Sequence, residues 1–280
     1  MVASERASVR LETINREAVT LLGMAGNPNT QSQWLSTAFD AGINIFFFYN
    51  LSFSGMIAGL RPLLKRERER VIVATGTESR DPFEMRRQLD RIKTQLQVSV
   101  IDLFFAEYIS PSDGTDDVMG VGGALDEIWR WREEGAVRYV GATVHDRSLA
   151  LKLIASRKVE VLMHRYNMAH RGAVAEVLPA AMDAEIPVVA FTCTRWGSLL
   201  KGHPEWAGEI PTAVDCYRYA LCHPAIDVVL TAPASLDELQ GNLGVIKEPM
   251  AVDAGQITSW ESYGDLVYGS GADAFETKWP

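Results

Sequence analysis

The sequence predicts an α/β protein, a single (β/α)8 TIM barrel, and three observations carry that reading. Short β-branched or aromatic runs alternate with amphipathic segments of roughly ten to fifteen residues. The alternation repeats eight times, more than an open doubly wound sheet usually needs. The chain is 280 residues long, a usual span for one such barrel. In chain order the strands fall at 19–24, 43–48, 71–75, 101–106, 137–143, 160–163, 187–191 and 228–231. The helices fall at 30–41, 54–64, 82–96, 123–134, 147–156, 172–184, 213–222 and 235–246. Asp81-Pro82 places a capping carboxylate before a proline in the first turn, and Ser235-Leu-Asp-Glu resembles a capping box. No linker, charge block or low-complexity run divides residues 1–280, so one domain is expected, with the barrel at about 19–247 and a tail at 248–280.

The tail carries Trp260, Tyr263, Tyr268, Phe275 and Trp279. These aromatics either pack the tail against the outer helices or bring part of it over the barrel mouth. The stretch 110–122, with three aspartates and three glycines, is long for a βα connection, and such loops more often shape sites than merely connect.

Composition narrows the function classes. A 47% hydrophobic content supports a large core, and a net charge of -9 disfavours nucleic acid as a partner. Cys193, Cys216 and Cys222 form no CxxC pair, which suits a reducing compartment and offers no metal framework. The first twelve residues are charged where a secretory signal would be apolar, and no run of ~18 apolar residues exists to span a membrane. A cytoplasmic protein acting on a small molecule is expected. Nothing in the sequence sets the oligomeric state.

Six segments resemble the aldo-keto reductase superfamily in order and spacing: AFDAGINIFFF (38–48), IDLFFAEY (101–108), GAVRYVGAT (135–143), RYNMAHR (165–171), IPVVAFTCTRWGSLLKG (186–202) and ALCHPAIDVVLTAPASLDELQGNL (220–243). The resemblance implies a barrel that reduces carbonyls with NADPH through Asp, Tyr, Lys and His. It places those positions at Phe47, at Ser52 or Phe53, at Gly76 and at Glu107, so this chain resembles a divergent member lacking the tetrad. The chemistry needs a phenol made acidic by a neighbouring ammonium, and Gly76 supplies no charge. Gly76 is expected to leave room that Phe47 fills in part, making the site floor apolar.

The positions that the resemblance assigns to the cofactor are altered as well. The adenosine-phosphate contacts read Ala234, Glu238, Gly241 and Asn242, of which only the asparagine is kept. The Ser-Asn pair at the nicotinamide amide becomes Thr143-Val144, the glutamine of the sixth strand becomes Met163, and the stacking tyrosine of the seventh becomes Phe191. Thr143, Phe191, Ser235 and Asn242 are the residues expected to touch a nucleotide if one binds. The expectation is that no cofactor is bound, with NADPH or NADH as the alternative.

Barrel enzymes work at the carboxyl ends of their strands. Those ends carry Tyr49, Glu107, Tyr108, His145, His164, Arg165 and Arg195. Glu107, Tyr49 and His145 are the catalytic candidates; Phe47, Tyr108, His164, Arg165 and Arg195 are the substrate-binding ones. Each has a plainer role open to it. Glu107 is either an acid with a raised pKa or a core carboxylate paired with an arginine. His145 is either catalytic or a cap for the helix near Arg147. Of His164 and Arg165, one faces the mouth and the other the helix layer, since neighbours on a strand alternate. Cys193 has no sequence-evident base, and Glu107, His145 and His164 have no recognised metal spacing, so no metal is expected.

Three functions compete. The first is non-redox acid–base chemistry (elimination, hydration or isomerisation) on a small oxygenated molecule, with Glu107 as acid or base and Arg165 or Arg195 as a clamp. The alternative is an atypical NAD(P)H-dependent carbonyl oxidoreductase. The second alternative is a non-catalytic binding or regulatory protein on a reductase scaffold.

Overall fold

Eight parallel strands close into a barrel in sequential order, β1 beside β8, in a computed structural model that describes residues 11–247 and 251–270. The strands are β1 (Leu22–Ala25), β2 (Ile45–Phe47), β3 (Ile72–Thr77), β4 (Ile101–Ile109), β5 (Val137–Val144), β6 (Val161–Arg165), β7 (Val188–Phe191) and β8 (Ile226–Thr231). The helices are α1 (Ser32–Asp40), α2 (Ser54–Glu67), α3 (Pro82–Leu96), α4 (Thr115–Met119), α5 (Ala124–Glu133), α6 (Arg147–Ser156), α7 (Val177–Asp183), α8 (Ala213–Leu221), α9 (Leu236–Asn242), α10 (Gly244–Lys247) and α11 (Ala254–Tyr268).

Strand alternation divides the core in two. Ile45, Ile72, Ala74, Leu103, Phe105, Val161, Met163, Val189 and Val228 fill the barrel interior. Their neighbours Phe46, Val73, Phe104, Leu162 and Val229 belong to the layer between sheet and helices. Both faces of a parallel sheet are buried, so its strands read as nearly continuous apolar runs. Leu11 and Val19, joined through the Glu12–Ala18 antiparallel bridge, plug the end where the strands begin, which leaves the opposite end for a site. Asp102 is a fully buried carboxylate, and it is well paired. It accepts from the Val73 amide at 2.9 Å, and Arg68 and Arg138 lie 2.9 and 2.8 Å away, tying β3, β4 and β5 together.

The expected helices at 82–96 and 147–156 match α3 and α6, but others differ for local reasons. The expected helix 172–184 is a short 3-10 turn, Gly172–Val174, followed by α7, because the ring of Pro179 conflicts with a helical carbonyl four residues earlier. The expected helix 235–246 divides into α9 and α10 around Gly241, Asn242 and Gly244, all weak helix formers. The long loop 110–122 contains α4. Strand β4 runs to Ile109 rather than stopping at 106, through a register shift between Ala106 and Ile109. In the tail, Trp260 and Tyr263 are buried and the Tyr263 hydroxyl donates to the Leu199 carbonyl at 2.9 Å, while Phe275 and Trp279 lie outside the described residues. Among the described residues no helix is long and apolar enough to cross a membrane.

Candidate active site at the barrel mouth

Glu107 shares strand parity with Leu103 and Phe105, so β4 turns its side chain into the barrel. It is 3% exposed and its Oε1 has no hydrogen-bond partner. The carboxyl lies over β3 at Gly76, where a Cβ would overlap the Phe105 carbonyl oxygen and come within 2.6 Å of Glu107 Cγ. The nearest side chain in the room above Gly76 is therefore Glu107, where the sequence expected Phe47 to take part of the space. Phe47 does point inward, its ring meeting Phe105 edge-on at 5.9 Å, so the floor is apolar. Burial, and after it the Glu78 carboxylate, raises the Glu107 pKa well above the usual carboxylate range against the opposing pull of Arg80. Arg80 is held elsewhere: it donates to the Glu107 backbone carbonyl at 2.7 Å and pairs with Asp113 at 3.2 Å. The core-pair reading of Glu107 thus lacks its arginine partner at the side chain.

The next residue explains how β4 continues. Tyr108 adopts φ 52, a left-handed conformation unusual for a tyrosine, and its amide donates to Thr143 Oγ1 at 2.7 Å. That bond holds the bulge and places the phenol at the mouth, 41% exposed. Burial, then the nearby Glu78, Tyr49 and Glu107, push the phenol's pKa up. Tyr49 lies beyond the end of β2, half exposed, with its ring against Phe53 at 4.9 Å.

His145 stands between two rings, 5.8 Å from Tyr108 and 4.9 Å from Phe191. Its Nδ1 is buried without a hydrogen-bond partner. The helix cap expected of His145 belongs to Asp146, whose carboxylate accepts from the Leu149 amide at 2.8 Å. His164 alternates to the outer side of β6, 1% exposed, with Nδ1 2.8 Å from the Val144 carbonyl. Arg165 takes the inward parity. Burial and the positive charge of Arg165 lower the pKa of His145 to about 4, and burial chiefly lowers that of His164 to about 4. Both folded-state values lie below the ordinary 6.5, so the unfolded chain binds more protons in that window. Stability is accordingly expected to fall as pH drops from about 6.5 to about 4. Urea unfolding at pH 7 and pH 5 checks this, with a smaller loss for His164→Asn than for the parent chain.

Arg195 is not a free clamp at the mouth. It is 3% exposed and its guanidinium donates to the Val267 and Tyr268 carbonyls, the latter at 3.5 Å, capping the last turn of α11. Arg171 holds the same helix through Asp265 at 2.6 Å and the Glu261 carbonyl at 3.0 Å. Tyr268 thereby reaches a cleft of about 560 Å³ at the mouth, lined also by His145, Arg165 and His170. A larger cavity, about 850 Å³, opens at the opposite end of the barrel beside Tyr139 and Glu160, away from these groups. Among the described residues no three His, Cys, Asp or Glu side chains gather closely enough to hold a metal. Burial raises the Cys193 pKa far up, which leaves the thiol unreactive.

The expected cofactor residues are engaged internally. Ser235 Oγ caps α9 by accepting from the Glu238 amide at 3.1 Å, and the Glu238 carboxylate accepts from the Ala234 amide at 2.8 Å. Asn242 donates to Thr231 Oγ1 at 2.9 Å. Met163 is packed inside the barrel, and Phe191 is half-buried against His145. Sequence reasoning passed over Arg80, Asp113, Asp146 and His170. All four sit in loops, where periodicity carries no signal, although Asp146 has the N-cap pattern ahead of a helix.

The sequence model described as the Aldo/keto reductase family matches residues 22–207. No curated protein matches the chain by sequence. Among solved structures, the holo form of aldo-keto reductase AKR11C1 from Bacillus halodurans superposes with a TM-score of 0.73 at 17% identity, covering 90% of this chain and 95% of that one. The apo form of the same protein gives 0.70 at 18% identity, covering 88% and 92%. An aldo/keto reductase from Klebsiella pneumoniae, in complex with NADP and acetate, gives 0.73 at 13% identity, covering 92% and 96%. Those structural likenesses speak for the barrel, and the family match spans most of it, from β1 past β7. The chain belongs to the aldo/keto reductase family.

Proposed function

We propose that the chain is an enzyme of non-redox acid–base chemistry, an elimination, hydration or isomerisation of a small oxygenated molecule bound at the mouth. The observation that carries this is the buried Glu107 carboxyl with an unpartnered Oε1 and a raised pKa, turned into the barrel over Gly76 near the carboxyl end of β4. Burial favours the protonated carboxyl of Glu107 and the unprotonated imidazole of His145. Each shift favours the state its task needs, the acid holding a proton and the base having room for one. Glu107 donates a hydrogen bond, then the proton, to a carbonyl or hydroxyl oxygen of the substrate. His145 Nδ1 accepts a proton from the adjacent carbon. The transfer leaves a carboxylate and an imidazolium across the mouth, and their attraction offsets part of the cost of forming both. Phe47, Phe105 and Phe191 exclude water, and Tyr108 and Tyr49 offer further phenol donors.

The alternative, an NAD(P)H-dependent carbonyl oxidoreductase, is favoured by the solved relative in complex with NADP. The residues of this chain do not fit a 2′-phosphate. The Glu238 carboxylate already accepts from the backbone at the start of α9 and would repel a second anion there. NADPH is therefore expected to bind weakly or not at all, and NADH to compete at least equally. Fluorescence titration with both nucleotides measures this, and low-micromolar affinity for NADPH would favour the reductase. The non-redox reading itself is tested by NMR in D₂O, following small hydroxy and oxo compounds for enzyme-dependent proton exchange or loss of water without nucleotide. A panel that shows neither, but is reduced when NADPH is added, contradicts it.

A further inference from the structure

Strand β4 carries one residue more than its neighbour near the mouth. From Ala106 to Ile109 it advances three residues while β5 advances two, from Ala142 to Val144. The extra residue changes which side chains share a face. Phe105 lies in the barrel interior and Ala106 in the layer beneath the helices, so simple alternation would return Tyr108 to that layer. Ile109 takes the place among the helices instead. Glu107 is buried toward the barrel, and Tyr108 is 41% exposed with its ring beside His145. Two consecutive side chains of one strand thus serve the mouth. The cost falls on the backbone: Tyr108 sits at φ 52, and the register with β5 breaks between Ala106 and Ile109. Side chains take over both polar ends of the peptide that joins Glu107 to Tyr108. Arg80 Nη2 donates to the Glu107 carbonyl at 2.7 Å, and the Tyr108 amide donates to Thr143 Oγ1 at 2.7 Å. Arg80 is itself fixed, since its Nη1 donates to the Glu78 carbonyl at 3.1 Å and its Nε lies 3.2 Å from Asp113. Asp113 in turn accepts from the Ser110 amide at 2.7 Å, which ties the start of the long loop to the same point.

We propose that Arg80 and Thr143 are positioning residues: they hold the two ends of the Glu107–Tyr108 peptide, and so keep the carboxyl turned into the barrel and the phenol at the mouth. The proposal rests on the reading of Glu107 as the acid and adds what holds it there. Arg80 comes from the connection between β3 and α3, and Thr143 from β5, so the peptide is braced from both neighbouring strands. The guanidinium-to-carbonyl bond is charge-assisted and therefore the stronger of the two. Without the brace, nothing offsets the left-handed backbone of Tyr108, which is costly for a residue with a side chain. The peptide then turns toward extended geometry, and the Glu107 carboxyl leaves its place over Gly76.

The test follows the Glu107 carboxyl and the Tyr108 amide by NMR in the full chain, with Glu107→Gln assigning the carboxyl signal. Thr143→Val keeps the shape of the side chain and removes the acceptor. The Tyr108 amide should then exchange with solvent at least about tenfold faster than in the parent. The Glu107 titration midpoint should fall toward that of the exposed glutamates, because the carboxyl gains water. Thr143→Ser keeps the hydroxyl and should restore both values. Arg80→Gln separates position from charge, and it decides the matter if Thr143→Val does not fold. Arg80 as a nearby cation pulls the Glu107 pKa down, so loss of its charge alone would raise the midpoint. Release of the peptide lowers it, which is the expected result. A raised or unchanged midpoint in Arg80→Gln overturns the part given to Arg80. An unmoved midpoint in Thr143→Val, or no recovery in Thr143→Ser, overturns the part given to Thr143. Thr143→Val should also lower kcat on the order of 10²-fold, since a misplacement of about 1 Å can cost that much. Midpoints as expected with near-normal turnover in Glu107→Gln would reject the catalytic role of Glu107 alone.

Discussion

Glu107→Gln is expected to lower turnover by ~10²–10⁴, the usual worth of one general acid–base group. Glutamine keeps the shape and a donor but has no transferable proton. The same substitution should not cost stability. In the fold, burial and Glu78 raise the Glu107 pKa above its value in the unfolded chain, so the protonated form is favoured by folding. The contribution is present below the unfolded pKa and is lost as pH rises through the folded one. A neutral amide avoids that loss, so Glu107→Gln should be as stable as the parent at pH 4 and more stable at pH 8. Turnover on the substrate found by proton exchange, with urea unfolding at both pH values, measures the two effects. Near-normal turnover would sink the catalytic role, and a destabilised Glu107→Gln at pH 8 would show that the carboxylate is paired in the fold.

The second large effect concerns the glycine beneath that carboxyl. Gly76→Ala is expected to destabilise the barrel by ~1–3 kcal/mol, the usual cost of overpacking a closed core. The new Cβ would overlap the Phe105 carbonyl oxygen, which β4 cannot move cheaply, and press on Glu107 Cγ at 2.6 Å. Turnover should fall with stability, because the displaced carboxyl no longer points where it did. Adding Glu107→Gly should restore part of the stability, since the clash with the side chain goes and the clash with the backbone stays. Full recovery would mean that the backbone contact is soft, and no loss at all in Gly76→Ala would contradict the packing of Glu107 over β3.

The barrel was legible because strand parity and helix periodicity are written locally in the residues. Eight apolar runs that alternate with helices suit a parallel sheet buried on both faces, and eight repeats are the number that closes a barrel. The inward position of Glu107 followed from the same parity, counted from Leu103 and Phe105. What parity could not show was competition between side chains for one space. Gly76 reads as an empty place, and either Phe47 or Glu107 could fill it until the bulge at Tyr108 fixes where β4 lies. Arg195 illustrates the same limit. A cation after β7 suits a ligand as well as a helix end, and only the path of α11, set by Tyr263 and Arg171 far along the chain, shows that its partners are the carbonyls of Val267 and Tyr268. Glu238 is a third case: the carboxylate four residues beyond Ala234 reads as a lost phosphate contact, and the fold adds that it has taken the backbone amide for itself.

The central claim is that the mouth holds a neutral carboxyl at physiological pH. Carbon-13 NMR of side-chain carboxyls in glutamate-labelled protein observes it directly, with Glu107→Gln assigning the resonance by its disappearance. The account predicts one carboxyl signal that stays at its protonated shift through pH 7 and titrates well above the other glutamates. A Glu107 signal that titrates with the exposed carboxylates, or stays ionised at pH 7, would contradict it.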